Sequence, residues 1–407
     1  MRRKANGSRG KPYSGCRRIR VPIASLTSQA AEICRLLFLT LVSAAWAVST
    51  LAQQADPPAE SASSERSQAA VAALQQWYEP DTGLYQTTGW WNSANAITAL
   101  ANYSRISGSQ AYLPIFANTL SNAQLAPHGA PGFLNKYYDD EGWWALAWID
   151  VFDLTGKPRY LQTARAIFLD MQRGWDTSAC DGGVWWSKDK RDKNAIENEL
   201  FLAVAAALAN RESDEAARKQ DLAWAAKEWA WFQGTGMINS NHLVNDGVRL
   251  SDFAHCTNNG KPTWTYNQGV ILGALIELNR AEPNPTLLPL ASSIAAAAIA
   301  HLTDAHGILH EPNDAHTGAD VPQFKGIFVR NLMLLNAAAP QPLYRRFFRI
   351  NAKALWKHDR TPSNQFGFWW QGPVDQVDAA RQTSALDLLN AADSPRSPNH
   401  PLLSSQH

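Results

Sequence analysis

From about residue 66 to residue 392, apolar side chains recur at helical spacing, three or four positions apart, with polar residues between them. The spacing predicts helices over 66–78, 92–107, 110–122, 140–155, 158–172, 194–211, 214–233, 266–281, 286–303, 325–338, 342–358 and 377–392. No run alternates apolar and polar residues as a half-buried strand does. Many helices come in pairs joined by a short turn. In DLTGKPRY (153–160), Gly156 stops one helix and Pro158 starts the next. Other connections are longer: DTGLYQTTGWWNSAN (81–95), CDGGVWWSKDKRDKN (180–194), CTNNGKPTWTYNQG (256–269), GADVPQFKG (318–326) and NQFGFWWQGP (364–373). Each is rich in Gly, aromatic and polar residues, and each precedes a strongly apolar helix. Six helical hairpins separated by such loops predict an all-α, (α/α)6 toroid, with six inner helices, six outer ones and the aromatic loops gathered at one mouth. No shorter repeat is evident, which argues against an open solenoid.

The N-terminus breaks this pattern. The first 35 residues carry nine Arg or Lys and one acid, Glu32, and LLFLTLVSAAWA (36–47) follows, uncharged and ending Ala45-Trp46-Ala47. A basic region, a short apolar core and an A-x-A site predict a signal peptide over 1–52, hence a secreted or periplasmic protein. The apolar run falls short of the roughly 20 residues of a membrane span, although an uncleaved N-terminal anchor is the alternative. The polar stretch 53–68 is expected to be a flexible tether. The helical domain is expected over 69–393, and 394–407 is expected to be a disordered tail. The basic leader contributes +8 to a chain whose net charge is +1, so the remainder is acidic. That disfavours nucleic acid as a partner, because phosphate recognition needs a basic footprint. Cys180 and Cys256 remain after the leader. Export permits a bridge between them, but sequence does not give their separation, so a disulfide and two free thiols both stand.

The chemistry concentrates in YYDDEGWWALAW (137–148), where Asp139 and Asp140 are adjacent at a helix start beside two tryptophans. Helix capping explains one Asp there, since a carboxylate accepts the orphan N–H groups of the first turn. It leaves the second unexplained. Consecutive Cα atoms are 3.8 Å apart, so their carboxyl groups reach the roughly 5–5.5 Å separation of a retaining glycosidase more readily than the wider inverting spacing. Repulsion between them would also keep one protonated, as an acid catalyst requires.

The stretches YYDDEGWWALAWIDVFDLTG (137–156), GGVWWSKDKRDKNAIENELFLAVAAALANR (182–211), TWTYNQGVILGALIEL (263–278) and QFKGIFVRNL (323–332) closely resemble glycoside hydrolase family 76, from about residue 70 to 392. The resemblance implies a retaining endo-α-1,6-mannanase or a related transglycosylase on the (α/α)6 fold. It implies Asp139 as nucleophile and Asp140 as acid/base, with an α-mannan as substrate and no cofactor. One departure is Cys180-Asp181-Gly182-Gly183, where the family often has Cys followed by three glycines. A non-catalytic, Trp-rich glycan-binding protein is the competing class.

Sugar rings stack on aromatic faces, and their hydroxyls need directed hydrogen bonds. Trp143, Trp185, Trp186 and Trp264 are the candidate stacking residues. Within each of the pairs Trp90-Trp91, Trp143-Trp144, Trp185-Trp186 and Trp369-Trp370, one ring is expected to pack inward and the other to face the groove. Asn198, Glu199, Tyr266, Asn267 and Lys325 interrupt apolar helices and are the candidate hydroxyl contacts, since a buried polar group must find a partner or serve a ligand. Lys188-Asp189-Lys190 is expected to be a solvated charge cluster. The histidines His301, His306, His310 and His316 lack the spacing of a zinc protease, so no metal site is expected. The chain is expected to be a monomer.

Overall fold

The computed structural model describes residues 59–127, 129–250, 256–312 and 319–395. The expected signal peptide, the first part of the tether, His316 and all but the first two residues of the expected tail lie outside the described residues.

Twelve α-helices run through the described residues. They are α1 (Ala59–Leu74), α2 (Trp90–Ser107), α3 (Leu113–Asn122), α4 (Tyr138–Thr155), α5 (Pro158–Met171) and α6 (Ala195–Ala209), followed by α7 (Glu215–Gly234), α8 (Thr265–Ala281), α9 (Leu287–His301), α10 (Phe324–Ala338), α11 (Pro342–His358) and α12 (Ala379–Asp393). The even-numbered helices form a closed ring: α2 packs on α4, α4 on α6, α6 on α8, α8 on α10, α10 on α12, and α12 returns to α2. Outer helices cover it, with α1 and α11 on α12, α5 on α4, α7 on α6 and α9 on α8. This is the (α/α)6 barrel that the hairpin pattern predicts. The strands are minor: Tyr78–Glu79 pairs antiparallel with Leu84–Tyr85, and Val248–Arg249 with Thr257–Asn258.

Local chemistry sets the boundaries. Asn194 opens α6 with a capping box, its backbone N–H donating to Glu197. Asp378 caps α12 by accepting from Arg381 N at 2.8 Å. Gly156, at φ 65°, ends α4 in the left-handed conformation that glycine adopts cheaply, and Pro158 opens α5. Every residue of α6 is buried, which explains its unbroken apolar sequence.

Close approach of the inner helices depends on glycine. A Cβ at Gly269 on α8 would lie 2.5 Å from Phe328 Cα on α10, and one at Gly326 on α10 would lie 2.5 Å from Ser384 Cα on α12. Backbone cannot yield as a side chain does. Gly269→Ala is therefore expected to destabilise by about 1–3 kcal/mol, read as a lower midpoint in chemical denaturation.

Two expectations need correction, and one open alternative is decided. Helix α1 begins at Ala59, inside the stretch read as a tether. Few large apolar residues mark that turn, and the helix is held by packing: Ala70, Val71 and Leu74 are buried, Gln382 donates to Ala70 O at 2.9 Å, and Ser67 donates to Asp393 at 2.6 Å. Ser394 and Pro395, read as the start of a loose tail, are held by Arg345, which donates to both carbonyls. Cys180 and Cys256 form a disulfide with their Cα atoms 4.9 Å apart.

Candidate functional site

The loops that precede the inner helices meet at one mouth of the barrel, and Asp139 and Asp140 stand there in the first turn of α4. Neither is the helix cap, which is Tyr137. The backbone N–H groups of Asp139 and Asp140, at this helix start, favour the Asp139 anion. Asp139 Oδ2 also accepts from Trp186 Nε1 at 3.0 Å, while Oδ1 is buried without a hydrogen-bond partner among the described residues. Asp140 Oδ2 accepts from Asn135 Nδ2.

Their environments push the two acids apart. Burial raises Asp139 to about 6, against the pull of Trp186 and the backbone N–H groups. Burial raises Asp140 well above the carboxylate range, and the neighbouring Asp139 charge adds to the rise. One carboxyl is thus favoured as an anion and its neighbour as an acid.

The third acid of the run turns away. Glu141 is fully buried, and its Oε1 accepts from Asn135 N at 2.9 Å and from Lys188 Nζ at 2.8 Å. Burial raises Glu141 to about 8 despite Lys188. Lys188 also meets Asp170 at 2.6 Å, and this corrects its reading as a solvated charge: it pins the 186–188 segment beside the start of α4. Tyr138 N to Trp186 O and Lys188 N to Lys136 O, both 3.0 Å, complete that clamp and bring the Trp186 indole to Asp139. Lys190 pairs with Asp176, and Asp189 with Lys136.

The tryptophan pairs divide largely as alternation predicts. Trp90, Trp144, Trp185 and Trp370 are buried, whereas Trp91, Trp186 and Trp369 are only partly so. Trp143 is buried as well, but it stacks on Trp91 with ring centres 5.7 Å apart. Trp185 is a correction to the stacking candidates. It is 3% exposed, its Nε1 donates to Asp176 at 3.0 Å, and Lys193 lies over its ring. A wall of rings crosses the mouth: Tyr266 stacks on Phe324 at 3.9 Å, Trp264 meets Phe324 edge-on at 5.8 Å, and Trp91 lies 6.5 Å from Phe324. With Val321, Phe368 and Trp369 these rings form an apolar cluster separate from the main core.

The polar candidates divide into two groups. Asn198 and Lys325 are spent on the scaffold, contrary to their reading as hydroxyl contacts. Asn198 accepts from Val184 N at 2.7 Å and donates to Val184 O and Asn194 O, fixing the loop that carries Trp185 and Trp186. Lys325 donates to Phe368 O at 2.5 Å and sits over the Phe368 and Trp370 rings. Glu199 on α6 and Asn267 on α8 differ: both are fully buried, and none of their four polar side-chain atoms has a partner among the described residues. Burial raises Glu199 well above the carboxylate range, so it is held as a neutral acid. Burial likewise raises Tyr266, and the nearby charges of Asp246 and Asp139 add to the rise.

Sequence reasoning missed several members of the site. In the sequence Trp91 is only half of a pair, and Phe324 only part of a motif. Asn135, Asp246 and Asp320 stand alone in loops, without any spacing that would single them out.

The comparisons with known proteins agree with this geometry. The model of Glycosyl hydrolase family 76 matches residues 61–400. The mannan endo-1,6-alpha-mannosidase DCW1 of Candida albicans is 26% identical over 201 residues, 45% of this chain and 43% of that protein. The mannan endo-1,6-alpha-mannosidase DFG5 of Saccharomyces cerevisiae is 25% identical over 341 residues, 77% of this chain and 72% of that protein. The matches to the first curated relatives thus span only about two fifths to three fifths of those proteins' lengths. An alpha-1,6-mannanase, GH76A of Salegentibacter sp. HEL1_6, was solved with alpha-1,6-mannotetrose as a variant inactivated by replacing two consecutive aspartates with alanine. It superposes with a TM-score of 0.73 at 25% identity, over 81% of this chain and 98% of that one. With its closed ring of helices, its paired aspartates at the mouth and a family match running through the whole barrel, this chain belongs to glycosyl hydrolase family 76.

Proposed function

We propose that the protein is a retaining, endo-acting α-1,6-mannanase. The observation that carries this reading is the pair of adjacent, buried aspartates whose environments separate an anion from an acid. Asp139, its anion supported by the Trp186 indole and two backbone N–H groups, attacks the anomeric carbon and forms a glycosyl-aspartate. Asp140 protonates the departing oxygen, then takes a proton from the incoming water. The aromatic wall from Trp91 to Tyr266 offers faces for the sugar rings. The inactivated aspartate pair of the mannotetrose-bound Salegentibacter enzyme supports both the residues and the linkage. The Cys180–Cys256 disulfide supports action in an oxidising compartment, in keeping with the signal-like leader.

Incubation of the purified protein with a linear α-1,6-mannan, with released oligosaccharides followed by mass spectrometry, tests this reading. Products shorter than the substrate are expected. Products longer than the substrate would show transfer to a sugar acceptor by the same residues, and binding without any cleavage would overturn catalysis.

The pH profile has a defined sign. The enzyme is competent with Asp139 ionised and Asp140 protonated. Asp139 lies at about 6, so kcat/KM is expected to fall as pH drops through that value and the nucleophile gains a proton. On the alkaline side it falls again when Asp140 loses its proton, at a pH above the ordinary carboxylate range. A rate that keeps rising below about pH 5 would contradict the assignment.

A further inference from the structure

The mouth holds a third carboxylate that the mechanism above does not use. Asp320 lies on the turn that leads through Val321–Gln323 into α10. Two side-chain latches fix this turn to the start of α2. Trp91 Nε1 donates to Asp320 Oδ1 at 3.0 Å. Asn92 Nδ2 donates to Gln323 Oε1 at 2.6 Å, and Gln323 Nε2 donates back to Asn92 O at 3.2 Å. The Asp320 side chain is exposed, and among the described residues it forms no ion pair. Trp91 stacks on Trp143, one helical turn beyond Asp139, so the latched carboxylate stands at the same opening as the catalytic pair. Its charge adds to the repulsion felt by both Asp139 and Asp140.

Holding a carboxylate still beside two others, with an indole N–H as its side-chain partner, is unfavourable in the empty protein. An Asp on an exposed turn would otherwise rotate into water. Fixed placement without a counter-cation suits a ligand that brings hydrogen-bond donors with it, and a sugar brings several hydroxyls. Asp320 Oδ1 is occupied by Trp91, which leaves Oδ2 directed by that contact.

We propose that Asp320 is a substrate-contacting, specificity-determining residue, whose carboxylate accepts a hydrogen bond from a hydroxyl of a mannosyl unit stacked on the Trp91–Phe324 wall. This rests on the reading of the mouth as a mannan cleft. Trp91 then has two functions: its ring carries the sugar face, and its N–H aims Asp320.

The test uses the Asp139→Asn, Asp140→Asn double variant, which is expected to hold oligosaccharide without cleaving it. Its affinity for α-1,6-mannotetraose is measured by calorimetry, alone and with Asp320→Ala, Asp320→Asn or Trp91→Phe added. Loss of a hydrogen bond to a charged group weakens binding about 10–100-fold, and that is the loss expected for Asp320→Ala. Trp91→Phe, which keeps an aromatic ring but drops the N–H, should weaken binding several-fold. If Asp320→Ala also lowers the melting temperature, the near-isosteric Asp320→Asn decides: weakened binding at unchanged melting supports the proposal. Affinity within about twofold of the double variant for both Asp320 substitutions would overturn it. A folded double variant that binds no α-1,6-mannotetraose would overturn the mannan reading itself, and this proposal with it.

Discussion

Asp139→Ala and Asp140→Ala are each expected to lower kcat on α-1,6-mannan by about 10²–10⁴-fold or more, with the fold intact. The two losses should differ in kind. Without Asp139 no glycosyl-enzyme forms, so the defect persists whatever the leaving group. Without Asp140 the defect lies in protonating the leaving oxygen. An aryl α-mannoside whose phenol leaves without help should therefore recover much of its first step in Asp140→Ala and little in Asp139→Ala. Stability should move the other way. Burial raises both carboxyls, the Asp139 charge adds to the rise at Asp140, and Asp139 keeps a buried oxygen without a partner among the described residues. Either substitution relieves that repulsion, so the melting temperature is expected to hold or rise. Equal rescue of both variants by the aryl substrate would reverse or dissolve the division of roles.

The second large effect lies at the opposite end of the barrel. Arg211, just past the end of α6, forks onto Asp153 of α4 at 2.6 and 2.7 Å and onto Glu277 of α8 at 3.1 and 3.3 Å. It also donates to Ala207 O at 2.8 Å. Three inner helices are tied by one buried guanidinium. Arg211→Met leaves both carboxylates without that partner and is expected to cost about 3–5 kcal/mol, measured by denaturation at pH 7. Burial pushes Glu277 up, but Arg211 outweighs it and holds the group below its ordinary value. A depressed carboxylate stabilises the fold above its unfolded pKa, and that contribution is lost as pH falls through the folded value. In Arg211→Met the same carboxyl is raised by burial, and protonation relieves it. The stability gap between variant and wild type should therefore narrow as pH drops below the ordinary carboxylate value. The fifteen residues of α6 separate this fork from the catalytic mouth, so turnover per folded molecule should not change.

The barrel was legible because its physics is periodic. Inner helices such as α6 and α8 are buried nearly all round and read as unbroken apolar runs, while the aromatic loops before them mark one end. Helix α1 was half missed because AESASSERSQ carries no apolar stripe, and its buried turn is set by contacts with α12. The aspartate pair stood out because helix capping accounts for one Asp and leaves the second, beside two tryptophans, unexplained. The polar residues on inner helices were harder. Asn198 and Lys325 look, in sequence, like Glu199 and Asn267, since each interrupts an apolar run. Only in the folded chain do the first two satisfy loop backbone, while the other two have no partner among the described residues. Asp320 gave no signal, because its meaning comes from Trp91, which is 229 residues away in the chain.

The central claim is that adjacent aspartates cleave the α-1,6 linkage through a covalent glycosyl-enzyme. The most direct test is the configuration of the first product, followed by proton NMR on an α-1,6-mannooligosaccharide before the new reducing end mutarotates. Two displacements at one carbon predict release of the α-anomer. Initial release of the β-anomer would show a single displacement by water, and would remove Asp139 from the role of nucleophile.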